Sequence, residues 1–137
     1  MELAHLVDVE FRYQSMAVAG PSPRAGRIFG AGEATFSGDR VAGAATWANF
    51  PRVLADGSTR PQAAGALTTG DGKTILFQVG GNGYPQAGRA LHVLTFEVDD
   101  EAYAWLNDVV AIGEGSVDGG VLRMRYFECI GGADPGF

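Results

Sequence analysis

The sequence predicts an all-β protein, a single closed antiparallel β-barrel of about eight strands with one short helix. Three observations predict it. Apolar and polar residues alternate with a period of two, glycine is spread along the whole chain at 21 of 137 residues, and turn signals recur between the alternating runs. An even number of strands suits a meander that closes on itself. No internal repeat or domain boundary interrupts residues 1–137, so one domain is expected.

The first strand alternates His5, Val7, Val9, Phe11 and Tyr13 with Leu6, Asp8, Glu10 and Arg12, giving one polar face. Gly20-Pro21-Ser22-Pro23 then breaks the chain. A second strand is expected over Arg27–Phe36, a turn at Ser37-Gly38-Asp39, and a third strand over Val41–Phe50. A looser stretch with Asp56-Gly57 and Pro61 leads to a strand ending near Thr69. Gly70-Asp71-Gly72 makes a hairpin into Thr74–Val79, the clearest local turn signal in the chain. Gly80-Gly81-Asn82-Gly83 opens a flexible loop reaching to Gly88, with Tyr84 able to close over a ligand as a lid or to sit in an ordinary long connection. Strands follow at Leu91–Val98, Val109–Ile112 and Val121–Cys129, and the tail from Gly131 looks frayed. Asp99-Asp100-Glu101 ahead of Ala102–Asn107 places acids in a first turn, so a helix of about two turns is expected there. Tyr103 and Trp105 would pack it on the barrel, and Asn107 would cap or turn the chain.

Composition excludes several functions. Hydrophobic residues make up 46% and charged residues 19%, which excludes disorder, and no apolar run is long enough to cross a bilayer. The N-terminal residues Glu2, His5 and Asp8 include no basic patch ahead of an apolar stretch, so no secretion signal is expected. Cys129 is the only cysteine, which rules out an internal disulfide and points to a reducing, cytoplasmic setting. With a net charge of −6 and scattered basic residues, neither nucleic acid nor a membrane surface is an expected partner. Either a monomer or a homodimer fits.

The stretch Phe96-Glu97, Tyr103-Ala104-Trp105-Leu106-Asn107, Val110–Gly115 and Tyr126-Phe127-Glu128 resembles the C-terminal signature of the small β-barrel family known as domain of unknown function 3237. Phe36-Ser37-Gly38, the Trp47 segment, Asp56-Gly57 and Leu67–Gly72 follow the order of that family. The resemblance implies a barrel and no settled activity. Thr46 stands where the family tends to carry Asp before the tryptophan, Gln62 and Ala64 where it carries Asp and Arg, and Glu33-Ala34 where it carries a glycine pair. A site built on those charged positions is therefore altered here.

Familiar catalytic motifs are absent. Gly72-Lys73-Thr74 ends like a phosphate-binding loop, yet Leu67 occupies its first glycine position and a strand follows, not a helix. No Gly-x-Ser-x-Gly elbow exists, Gly81-x-Gly83 lacks a third glycine, and two histidines and one cysteine do not make a zinc site. No metal, nucleotide or flavin cofactor is expected.

Strand parity directs Ile28, Gly30, Gly32, Ala34 and Phe36, and Val41, Gly43, Ala45, Trp47 and Asn49, into the barrel. Such small residues either accommodate bulk from the opposite wall or leave a cavity lined by Phe11, Phe77, Phe96 and Met124. The same parity turns His5, Tyr13, Trp47, Asn49, His92, Phe96, Tyr126 and Glu128 inward. Tyr13, Trp47, Asn49, Tyr84 and Phe96 are thus candidate ligand contacts. If the first and last strands pair, Phe11 falls beside Leu122, Val9 beside Met124, Val7 beside Tyr126 and His5 beside Glu128. A carboxylate against an imidazole makes a general base, Tyr126 a donor to an oxyanion, and His92 the alternative base; a plain rim ion pair is the rival account. The expected function is a cofactor-independent isomerase, lyase or cyclase acting on a small hydrophobic carbonyl compound, with a non-catalytic carrier or sensor of such a compound as the alternative.

Overall fold

A computed structural model describes residues 1–19 and 27–131. The Gly20–Pro23 breaker falls outside the described residues, as does the expected frayed tail beyond Gly131. The ten strands are β1 Glu2–Ala19, β2 Arg27–Ser37, β3 Gly43–Asn49, β4 Arg52–Val53, β5 Thr59–Arg60, β6 Ala63–Thr69, β7 Thr74–Tyr84, β8 Arg89–Glu97, β9 Val110–Asp118 and β10 Val121–Ile130. Eight of them close a ring in the order β1-β2-β3-β6-β7-β8-β9-β10, every neighbour antiparallel. The short strands β4 and β5 lie outside it and bridge β2 to β7. The lower end carries the start of β1, the upper end the turn between β7 and β8.

Inner-face alternation is what the sequence implies. Val7, Val9, Phe11, Ala34, Phe36, Ala45, Trp47, Leu67, Ile75, Phe77, Leu94, Phe96, Met124 and Tyr126 are buried in one core. The glycines that share this face do not leave a cavity beside them. A Cβ at Gly65 would lie 2.4 Å from Phe77 Cζ, one at Gly113 2.5 Å from Tyr126 Cδ1, one at Gly115 2.5 Å from Met124 Sδ, and one at Gly30 2.5 Å from Tyr13 Cε1. Small residues receive large neighbours, so the open lumen expected from Gly30, Gly32, Ala34, Gly43 and Ala45 gives way to its rival, the filled barrel.

Two expected features are corrected. The helix over 102–107 is only a 3-10 turn at Ala104–Asp108. Its bonds run three residues back, Leu106 N–H to the Tyr103 carbonyl and Val109 N–H to the Leu106 carbonyl. Asn107 grips both the N–H and the carbonyl of Val98, at 2.9 and 2.8 Å. That clamp holds the segment across the lower end, where Leu106 and Val109 enter the core, and so short a run does not recover the cost of nucleating an α-helix. The flexible loop expected from Gly80 is instead the second half of β7, paired with β8 as far as Tyr84 opposite Arg89. A tight 3-10 turn at Pro85–Ala87 connects them, and Gly88, at φ 64°, ends it. The lid reading of Tyr84 falls with the loop: backbone hydrogen bonding of both strands outweighs the weak strand propensity of glycine.

The Gly70-Asp71-Gly72 hairpin is present, closed by the Thr69 N–H on the Lys73 carbonyl at 2.9 Å, with Gly72 at φ 82°. It also anchors the lower segment, since Tyr103 donates to Asp71 at 3.0 Å and Lys73 pairs with Asp100 at 3.1 Å. Among the described residues no helix is long and apolar enough to cross a membrane.

Because the carbonyl of Thr46 as well as Phe77 crowds the missing Cβ, Gly65→Ala is expected to cost about 1–3 kcal/mol. Urea unfolding followed by tryptophan fluorescence measures it. An unchanged midpoint would mean that the wall yields and the interior is not tightly filled.

Candidate functional site

The predicted pairing of the barrel's closing strands holds for Phe11 with Leu122, Val9 with Met124 and Val7 with Tyr126. It fails one step further. A bulge between His5 and Val7 sets His5 opposite Phe127 and Ala4 opposite Glu128. Leu6 and Val7 are both buried, which a regular strand cannot do with adjacent residues. Burying the extra leucyl side chain is worth about 1.5–3 kcal/mol, enough to set the register. His5 is consequently exposed, donating from Nε2 to Asp8 Oδ1 at 2.7 Å and standing edge-on to Phe127. Glu128 turns to Arg40 at 2.9 Å, and that guanidinium lies 3.9 Å from the Trp105 ring centre. The proposed His5–Glu128 dyad is therefore replaced by a lower-end clasp. Leu6, an apolar residue on the otherwise polar face of the first strand, was the sequence signal for it.

Other candidates also have structural partners. The Trp47 indole is buried between Phe11 and Tyr13, at ring separations of 5.9 and 4.8 Å, and donates from Nε1 to the Glu33 carbonyl at 2.8 Å. Asn49 does not project a free amide into the barrel: its Oδ1 accepts the Gln62 N–H at 3.0 Å and fixes the crossover from β3 to β6. Phe96 is core, opposite Phe77. Tyr84 sits beneath the Arg89 guanidinium and takes a hydrogen bond from Asn82. Tyr13, by contrast, is exposed beyond Trp47 at the upper end.

One pair comes together that the sequence did not join. His92 on β8 and Tyr126 on β10 are separated by β9, whose residue facing both is Gly113. The Tyr126 ring lies across that glycine, and its hydroxyl meets His92 Nδ1 at 2.9 Å. On the other side of His92 stands Gly81 of β7, again without a side chain. Two glycines flanking an inward histidine, one of them next to an inward tyrosine, were a legible cue once the register was known.

The electrostatics of the pair follow from burial. Desolvation disfavours the imidazolium and pushes His92 down from 6.5 to about 4, so the ring is neutral at physiological pH. Desolvation also disfavours a phenolate and pushes Tyr126 well up, so the phenol keeps its proton. With the phenol O–H donating to Nδ1, the neutral ring carries its hydrogen on Nε2. No side-chain polar atom among the described residues is sealed in the interior without a partner. The ring's single hydrogen bond is through Nδ1, so Nε2–H opens on space large enough for a solvent molecule. The arrangement is a fixed, uncharged hydrogen-bond donor in a low-dielectric wall. No cluster of three or more potential metal ligands occurs among the described residues.

This fold and pair define a closed antiparallel eight-stranded barrel with a phenol–imidazole couple in its wall. Three solved structures have that fold. A β-barrel-like protein from Acinetobacter baumannii superposes with a TM-score of 0.81 at 19% identity, over 93% of this chain and 94% of the other. A protein of unknown function from Rhodopseudomonas palustris gives 0.83 at 16%, over 94% and 97%. A protein described as an enzyme from Penicillium herquei gives 0.80 at 20%, over 93% and 92%. No family model and no curated protein matches the chain.

Folding leaves His92 unable to bind a proton that the unfolded chain binds readily below pH 6.5. Stability should therefore fall as pH drops from 6.5 to about 4 and level off below, a loss of about 3 kcal/mol. Chemical unfolding at a series of pH values, compared with His92→Gln, checks it. A variant with the same slope as the wild type would assign the loss to other groups.

Proposed function

We propose that the protein is a cofactor-independent enzyme of the isomerase, lyase or cyclase type, acting on a small hydrophobic carbonyl compound beside the His92–Tyr126 pair of the barrel wall. The observation that carries this reading is the Nε2–H of His92, neutral, oriented by Tyr126 at 2.9 Å and open on one side. A neutral imidazole donor held in a dry wall stabilises negative charge developing on a carbonyl oxygen, and it does so without reorganising during the reaction. The pair is poorly suited to remove a proton itself, since Nδ1 is occupied by the phenol and a phenolate at Tyr126 is strongly disfavoured. The base in such a reaction is then a group of the substrate or a water molecule. Enolisation and internal ring closure both fit this division of labour, because each passes through an oxyanion.

The filled interior limits that substrate to the space on which His92 Nε2–H opens rather than the whole lumen. The resemblance to domain of unknown function 3237 belongs to this proposal, as does a cytoplasmic setting for the half-buried Cys129 thiol. The similarity to a barrel from Penicillium herquei described as an enzyme is consistent with catalysis on this architecture. The carrier reading differs in one respect, that it gives Nε2–H no transition state to stabilise.

Exchange of α-hydrogens into a panel of cyclic ketones and diketones in deuterated water, followed by proton NMR, tests the proposal. Wild type should accelerate exchange of at least one compound, with His92→Gln losing about 100-fold or more of that rate and Tyr126→Phe losing about 10-fold. The wild-type rate should show no inflection near pH 6.5, because His92 does not titrate there. Binding of the panel without any exchange would favour the carrier.

A further inference from the structure

The outer wall of the barrel has two characters. On the β1–β10 side it is polar, as an antiparallel sheet facing water should be: Asp8 lies opposite Arg125 and Glu10 opposite Arg123. On β8 and β9 it is not. Leu91, Val93, Val110 and Ile112 point outward and are 46, 41, 47 and 40% exposed, with Leu3 of β1 at 53%. Cross-strand register sets Val93 beside Ile112 and Ile112 beside Phe127 of β10, so the apolar residues form one continuous band. Opposite Val93 on β7 stands Gly80, with no atom near its missing Cβ. Leu3, Leu91, Val93, Ile112 and Phe127 border a groove of about 640 Å³ in this band.

We infer that this outer face of β8 and β9 is the interface of a homodimer, two copies meeting across a two-fold axis near Ile112. The area fits. The exposed apolar surface is on the order of 500 Å² per copy, roughly what the apolar part of a standard interface of about 800 Å² per partner supplies. The charges fit as well. Glu114 of the groove is the cross-strand neighbour of Arg125, so two identical faces brought together do not oppose a single sign. β-Branched and leucyl side chains standing off two sheets interdigitate when the sheets pack face to face. A membrane is the poorer occupant, because the chain carries −6 overall and the band's Arg89 and Arg125 are interspersed with Glu114. The same groove is lined by Gly81, His92 and Gly113, so a partner copy here covers that side of the candidate site; the two readings are tested separately, this one by mass and the catalytic one by exchange.

Sedimentation equilibrium on the full chain from about 1 to about 100 µM tests it. Wild type is expected at twice the chain mass, and Ile112→Lys at the monomer mass, with dissociation strengthened by about 100-fold or more. Phe29→Lys, on the other exposed aromatic cluster, should leave the dimer intact. Should Ile112→Lys fail to fold, Ile112→Cys on a Cys129→Ser background gives a second reading, a disulfide-linked dimer on mild oxidation. A monomeric wild type at the highest concentration overturns the inference. So does a dimer lost with Phe29→Lys but kept with Ile112→Lys, absence of the Ile112→Cys crosslink, or a monomer that floats with phosphatidylserine vesicles.

Discussion

Closing eight strands into a ring leaves an interior about as wide as two facing side chains, and the rest of this structure depends on how that width is shared. A large inward residue on one strand is matched by glycine on its neighbour. Phe77 crosses Gly65, Tyr126 crosses Gly113, Met124 crosses Gly115, and the Trp47 ring comes within 3.0 Å of the missing Cβ of Gly32. Each match lets a ring lie flat along the wall instead of colliding at the axis. Each also carries that side chain toward the next strand but one. That is how a tyrosine of β10 reaches a histidine of β8, so the packing constraint and the candidate site have the same origin.

The two ends of the barrel are built differently. The lower end is closed by fixed interactions: Glu128 to Arg40, Arg40 on Trp105, Tyr103 to Asp71, and Asn107 gripping Val98. The Thr69 hydroxyl, and after it the Tyr103 phenol, hold the Asp71 carboxyl below its ordinary range, which keeps it a charged acceptor. At the upper end the β1–β2 ribbon continues past the last β1–β10 pair, Arg12 with Val121, and leaves Tyr13 and Met16 exposed. The His92–Tyr126 pair lies between these ends: Tyr126 stands level with Val7 of β1, and the groove beside His92 is bordered by Leu3 and Phe127.

The candidate site contains no charge. An imidazole and a phenol, both neutral, share one hydrogen bond and need no ion to balance them, so a barrel of this size buries them at small cost. A carboxylate in the same wall would have required a partner. Glu128 shows the consequence, being half-buried and drawn to Arg40 rather than left beside a ligand.

Most strands of the ring, the inward faces of their central residues, and the closing register over Val7, Val9 and Phe11 were legible in the sequence, because period-two alternation is a local property that burial on one face enforces. The hairpin at Gly70–Gly72 was legible too, since its bonds join residues a few positions apart. Tertiary structure alone decided the bulge that removes His5 from Glu128, the conversion of the Gly80–Gly83 loop into strand, the reduction of a helix to a single 3-10 turn, and the meeting of His92 with Tyr126. Each of those depends on which strand lies next to which, and on whether a neighbour carries a side chain. Periodicity carries no information on either, because a pattern read along one strand is the same whatever stands beside it.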